Sequence, residues 1–460
     1  MKSEKETTKK GHTYVQWAAG IIANSIAFTY AMQACWISPV AKVLQSKSSP
    51  TGAPLSDSTL GWVASALPIT AFVFVPIFSF LADKYGRKTS ILIMAVPQTL
   101  CWVLKLYFAS TTSLVIARVC SGIAAGGCFN VVPMYNKEIS QDNMRGAMGS
   151  LLIVACNMGI LIIFALGAYV EYYTVLYIVA GIPVLTFILM LKCPESPGYL
   201  VKIGKYDEAL QTLAFLRGLD EDDKSIQNEV NEMKKDDEFY KTMPPLSMIV
   251  ILKDRAWRKA FIIAALMNCV QTLSGNFALV SYGVNILKAS GVDLDAELMT
   301  LTFPAVMLAG SFLAMVAMER VGRKVLLLAA YLVSAASLAA VGVVMQQPPG
   351  SVPAWLLLAA ILGSMVAFSC GVMPVPYIVM SELFNIQIRA TLMGFVAAQG
   401  WGLSFALLAA FAPITAAFGM YANFYFFAAV QLLGFAAVLV LMPETRGKSI
   451  EQLETELKIK

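Results

Sequence analysis

The hexapeptide DKYGRK, Asp83–Lys88, returns as ERVGRK, Glu319–Lys324, 236 residues further along the chain. Each copy follows an apolar run and places an acid, a glycine and a closing Arg-Lys pair in the same order. Two more pairs keep this register. KEISQDNMR, with Glu138 seven residues before Arg145, is answered after 244 residues by SELFNIQIR, with Glu382 seven before Arg389. PESPGYL (194–200) is answered after 249 residues by PETRGKS (443–449). One such pair is an unremarkable charged loop. Three pairs in one order and at nearly one offset mark a chain built twice from one plan.

Between the motifs the sequence is apolar. It is 58% hydrophobic and 14% charged over 460 residues. Runs such as WVASALPITAFVFVPIFSFLA (Trp62–Ala82) suffice to cross roughly 30 Å of hydrocarbon as helices. Twelve candidate spans emerge, six on each side of the longest polar stretch. The expected division is a leader 1–14, a six-helix bundle 15–193, a linker 194–257 with short helices, a second six-helix bundle 258–442, and a tail 443–460. The leader shows no signal-peptide pattern. Lys/Arg residues gather in the loops on the side of the termini, which predicts that both termini are cytoplasmic. The formal charge of +5 follows from that asymmetry and calls for no nucleic-acid partner; the bilayer is the partner implied. Eight Cys without a CxxC pair read as packing sulfur, and the single His12 lies in the leader, so no metal site is expected. No GxxxxGK[ST] and no nucleophile–base constellation occur, so neither an ATPase, another enzyme nor a cofactor is implied.

Two spans are expected to be irregular. In VQTLSGNFALVSYG (270–283) an unbroken helix puts Gln271, Ser274, Ala278 and Tyr282 on one stripe and Asn276 elsewhere, whereas a break at Gly275 frees backbone groups tolerable only beside a water-filled path. Gly371, Pro374 and Pro376 should bend or break span 10. The only charges placed within spans, Lys105, Arg118 and Glu171, lie near span ends and are expected to snorkel to the interface. Acids and bases at the inner ends of the helices can pair when those ends meet, so they are expected to favour an outward-open state.

DKYGRK, ERVGRK, PESPGYL, PETRGKS, SELFNIQIR and QTLSGN together resemble the sugar-porter branch of the major facilitator superfamily, and within it insect facilitated trehalose transporters. The resemblance implies an all-α membrane fold of twelve helices in two pseudo-symmetric six-helix bundles, with small cytoplasmic helices between them. It assigns Asp83, Arg87, Glu138, Arg145, Glu195, Glu319, Arg323, Glu382 and Arg389 to an intracellular ion-pair network. Gly198 stands where the family carries Arg. The resemblance makes Gln271 a sugar-binding glutamine, Tyr282 a gating tyrosine and Trp401 a ring near the site, with Tyr377 where a Trp is usual. Ser274 and Asn276 join them as expected contacts. Ile153, Phe277, Met307 and Gly400 stand where the family has polar sugar contacts; Asn157, Gln33, Gln399, Asn268 and Asn130 are candidates to supply replacements.

Ala31 occupies the position of the Asp carried by proton symporters of the family. The implied function is uncoupled uniport of glucose or trehalose in the plasma membrane, without an obligate protein partner. The alternatives are uniport of a non-sugar organic solute, motivated by the four apolar exchanges, and a non-transporting sensor, which the short tail disfavours.

Overall fold

The computed structural model describes residues 12–108, 110–141, 144–242, 248–289, 299, 301–348, 351–384, 386–446, 448 and 450–459. Every regular element among them is helical. The first half contains α1 (Tyr14–Cys35), α2 (Ile37–Leu44), α3 (Asp57–Tyr85), α4 (Arg87–Tyr107), α5 (Thr111–Ile139), α6 (Arg145–Tyr169) and α7 (Tyr172–Lys192). Four short helices follow: α8 (Pro197–Lys202), α9 (Tyr206–Arg217), α10 (Lys224–Thr242) and α11 (Met248–Lys253). The second half contains α12 (Arg255–Thr272), α13 (Asn276–Ala289), α14 (Thr302–Val321), α15 (Arg323–Gln346), α16 (Ala354–Ala367), α17 (Pro374–Leu383), α18 (Ile386–Phe418) and α19 (Met420–Leu441), and α20 (Ile450–Ile459) ends the chain.

Ten segments are long and apolar enough to cross a membrane, two of them the joined pairs α12–α13 and α16–α17. With α1 and the shorter apolar α14 they make the twelve expected crossings. Polar side chains of α1 bond within the protein, to α1 itself in the case of Asn24 and Thr29 and to another helix in the case of Gln33. Gln33 Nε2 donates to Gln98 O at 2.9 Å and Gln98 Nε2 returns the bond to Ile26 O at 2.9 Å, stitching α1 to α4. Gly122 and Gly126, four residues apart on α5, let α3 approach closely: a Cβ on Gly122 would stand 2.4 Å from Leu67 O.

The two cationic side chains near span ends do not snorkel. Arg118 is 1% exposed and spends its guanidinium on carbonyls: Val63 O at 3.3 Å, Ala34 O at 3.3 Å, Ala64 O at 3.4 Å, and Gln33 O. These acceptors have a cause. Gln33 and Ala34 lie in the last turn of α1, and Pro68 offers no N–H to Ala64 O. Lys105 is fully buried because the α1–α2 elbow folds Trp36 over it; its Nζ sits 4.0 Å from the Trp36 ring centroid and 4.2 Å from that of Trp102. Glu171, by contrast, is exposed just before α7.

Buried apolar residues show where the halves meet. One core joins α2 (Val40, Leu44) to α13 (Leu279, Ile286) and to Phe411 of α18, at the end away from the termini. At the termini side the second half has its own core, with Ala256, Met318, Leu392 and Leu453. The short helices divide the same way. Arg217 of α9 donates to Ile139 O at 2.8 Å, and Gln16 Nε2 donates to Leu216 O at 3.1 Å, fixing α8–α10 under the first half. Trp257 Nε1 donates to Glu454 Oε1 at 3.0 Å, fixing α20 under the second.

Candidate functional site

Span 7 is broken, and the break shapes the site. α12 stops at Thr272, Gly275 takes φ +80°, and α13 restarts at Asn276. A Cβ on Gly275 would stand 2.2 Å from the Phe427 ring, so glycine is needed for space as well as conformation. The unbroken stripe is therefore replaced by two short faces. Span 10 is irregular too: α16 passes into a single π-turn, Phe368–Val372, before Pro374 opens α17. That turn lets Phe368 and Met373 face the same cavity, although they lie five residues apart.

The cavity between the halves measures about 240 Å³. Its first-half wall comes from α1, α5 and α6, and its second-half wall from α12–α14, the π-turn, α17 and α18. Among the described residues its lining contains no Asp, Glu, Lys, Arg or His. Three rings form a corner: Tyr30 meets Phe129 edge-on at 5.4 Å, and Trp401 lies 6.2 Å from each.

Carboxamides supply most of the polarity, and several of their N–H groups are already committed. Asn157 Nδ2 donates across the interface to Ser311 Oγ at 3.1 Å; Asn130 Nδ2 donates to Ser79 Oγ at 2.9 Å, and Asn268 Nδ2 to Val396 O at 2.8 Å. Gln271 Oε1 and Asn276 Oδ1 are buried without a protein partner, a state costing about 1–3 kcal/mol each until something donates to them.

Of the expected contacts, Gln271, Asn276, Tyr377, Trp401 and Asn157 line the cavity. Ser274, Tyr282 and Gln399 are outside its lining. Ser274 Oγ accepts from Asn276 N at 3.4 Å and so closes the turn. Tyr282 stacks on Phe411 with centroids 4.9 Å apart, on the far side. Gln399 Nε2 donates to Ala265 O at 3.4 Å, joining α18 to α12. Of the apolar exchanges, Phe277, Met307 and Gly400 line the cavity; on α6 the lining comes from Cys156, Asn157 and Ile160, not Ile153. A Cβ on Gly400 would stand 2.9 Å from Asn268 Nδ2, so the Asn268 amide lies against the space a side chain at 400 would take. Tyr30, Phe129, Met373, Met380 and Met393 also line it. Sequence reasoning missed them, because an aromatic or Met in an apolar run reads the same whether it faces lipid or a cavity.

The charged motifs form two matching constellations at the termini side. In the first half Arg87 reaches Glu138 at 3.0 Å and Asp83 at 3.9 Å, Lys202 reaches Asp83 at 2.8 Å, and the Ser196 hydroxyl donates to Glu138. In the second, Arg323 reaches Glu382 at 2.9 Å and the Thr445 hydroxyl donates to Glu382. Glu195 accepts from the Arg87 and Lys88 amides at 3.0 and 2.9 Å, capping α4 where its N–H groups lack helical partners. Glu444 does the same for α15, accepting from the Arg323 and Lys324 amides at 3.1 Å each. Sequence reasoning named Glu195 but passed over Glu444, although the repeat pairs PESPGYL with PETRGKS. Burial pushes the Glu195 carboxyl upward, against the pull of the amides it accepts from. Each of these pairs lies within one half. Gly198 sits against Glu138, where a Cβ would be 3.3 Å from its carboxyl carbon. The side chains of Arg145, Glu319 and Arg389 lie outside the described residues.

Comparison with known proteins is consistent along the whole chain. The family model described as sugar (and other) transporter matches residues 12–457. The facilitated trehalose transporter of Polypedilum vanderplanki is 29% identical over 456 residues, covering 98% of this chain and 90% of that one. That of Bombyx mori is 28% identical, covering 98% and 89%. The Anopheles gambiae counterpart is 27% identical, but this chain spans only 57% of its length. Among solved structures, the partially occluded inward-open xylose transporter XylE from E. coli superposes with a TM-score of 0.79 at 19% identity, over 95% of this chain and 100% of that one. The proton:xylose symporter XylE bound to 6-bromo-6-deoxy-D-glucose gives 0.76 at 20% identity, over 96% and 99%. With its two helical halves, a cavity between them and the fold of a solved major facilitator superfamily protein, the chain belongs to the sugar (and other) transporter family, whose model matches it over nearly its full length.

Proposed function

We propose that the protein is a uniporter moving trehalose or glucose down its gradient, with both termini in the cytoplasm and the plasma membrane as its site. The observation that carries this reading is the cavity itself: walls of amides and rings, with no Asp, Glu, Lys, Arg or His in the lining among the described residues. The names of the insect relatives support the sugar.

A coupled carrier needs an intramembrane group whose protonation differs between states. Here α1 offers Ala31, the buried cation Arg118 is held by backbone carbonyls, and Lys105, buried against Trp36 and Trp102, is outside the cavity lining. Transport then proceeds by rocking of the bundles 15–193 and 258–442 about the site, with 194–257 as the tether. The shared core of α2, α13 and Phe411 closes the outer end, and Tyr282 on Phe411 acts as its plug. Gln271, Asn276, Asn157, Tyr377 and Trp401 receive the sugar, with Asn268 offering an amide beside Gly400. The motif-bearing ends part when the inner side opens and meet in the outward-open state.

Counterflow of labelled trehalose and labelled glucose in proteoliposomes tests the assignment; Gln271→Ala should reduce it at least tenfold. A second reading, uniport of a non-sugar organic solute, is favoured by Phe277 and Met307 in the wall. Folded protein with no counterflow of either sugar would select it.

A further inference from the structure

The walls of the cavity change chemistry along its length. Gln271 lies sixteen residues into α12 and Asn157 twelve into α6, which puts both about 18–24 Å from the termini side. Met393 lies seven residues into α18, and Met380 three from the end of α17, within about 5–10 Å of that side. Both methionines line the same cavity as the amides, and Met373 and Phe368 of the π-turn region extend the apolar wall between them. So one end carries the carboxamides, and the other carries the thioethers of Met380 and Met393 together with Tyr377, six residues from the end of α17.

A free hexose carries hydroxyls around its whole ring. At the methionine end those hydroxyls would leave water with only the Tyr377 hydroxyl to replace it. Thioether side chains are polarizable and adaptable, and they suit flat apolar groups of varied shape. The Tyr30–Phe129–Trp401 corner adds ring faces and edges at the same cavity. With no Asp, Glu, Lys, Arg or His in the lining among the described residues, the matching ligand is neutral.

We infer that the preferred ligand is a neutral glycoside bearing an apolar aglycone: its sugar meets the amides of Gln271, Asn276 and Asn157, and its aglycone lies against Met373, Met380 and Met393. This rests on the proposed sugar-transport reading and narrows its substrate class. The test is competition against counterflow of labelled glucose and trehalose by phenyl β-glucoside and methyl β-glucoside, which share the sugar and differ in the aglycone. The phenyl compound should halve exchange at a concentration at least tenfold below that of the methyl compound, and Met380→Ser should shrink that ratio. Robust sugar exchange with equal potency of the two glycosides overturns the inference while leaving sugar transport standing. No sugar exchange, together with no thermal stabilisation of the folded protein by either glycoside, removes the sugar-transport reading and the inference with it.

Discussion

Gly275 concentrates several constraints on one residue. Its φ of +80° is costly for any residue with a Cβ, and that Cβ would stand 2.2 Å from Phe427. Adding about 1–2 kcal/mol for the left-handed backbone to about 1–3 for overpacking, Gly275→Ala should destabilise the protein by at least about 2 kcal/mol. Gly149→Ala, where a Cβ meets nothing within 4 Å, should leave it unchanged or slightly more stable. Thermal unfolding in detergent reads both. Arg118→Met strands carbonyls of α1 and α3 at about 1–3 kcal/mol each and should lower the melting temperature more than either. The two residues differ in legibility. Gly275 was readable as a possible break because glycine amid polar residues in an apolar run has a local meaning. Arg118 was not, because its partners are backbone carbonyls, and whether those are free depends on where α1 ends and on Pro68 in another helix.

At the scale of elements, the duplicated motifs fold into the same constellation twice, yet the copies differ in burial. The Arg87 side chain is 7% exposed and that of Arg323 is 19%. Removing the partner of a buried charge costs about 3–5 kcal/mol, and less where water can reach it. Glu138→Gln should therefore lower the melting temperature clearly more than Glu382→Gln; equal losses would mean the difference in burial has no energetic weight. Glu195 adds a pH dependence. Because burial raises its carboxyl, the folded state holds more protons than the unfolded state from its ordinary range up to the raised value. Stability contributed there falls as pH rises through that window, and Glu195→Gln should flatten the slope measured by unfolding against pH. The motifs were legible from spacing alone. Their pairing within each half was not, since spacing cannot show which state of the halves brings which ends together.

For the molecule as a whole, twelve crossings in two halves followed from apolar runs and the repeat, because helix length and bilayer thickness leave few alternatives. The cavity was only partly legible. Polar residues in span 7 announced Gln271 and Asn276, but Tyr30, Phe129 and the methionines carry no mark that separates a cavity wall from a lipid face. Likewise Tyr282 and Gln399 hold helices together, which their polarity alone does not distinguish from contact with a solute. The most direct test of the central claim is initial uptake of labelled trehalose and glucose into proteoliposomes, with and without an inward proton gradient. Saturable uptake that equilibrates and is indifferent to the gradient is the predicted result. Accumulation above the external concentration when the gradient is imposed would contradict it, and would require a titratable group in the transport path.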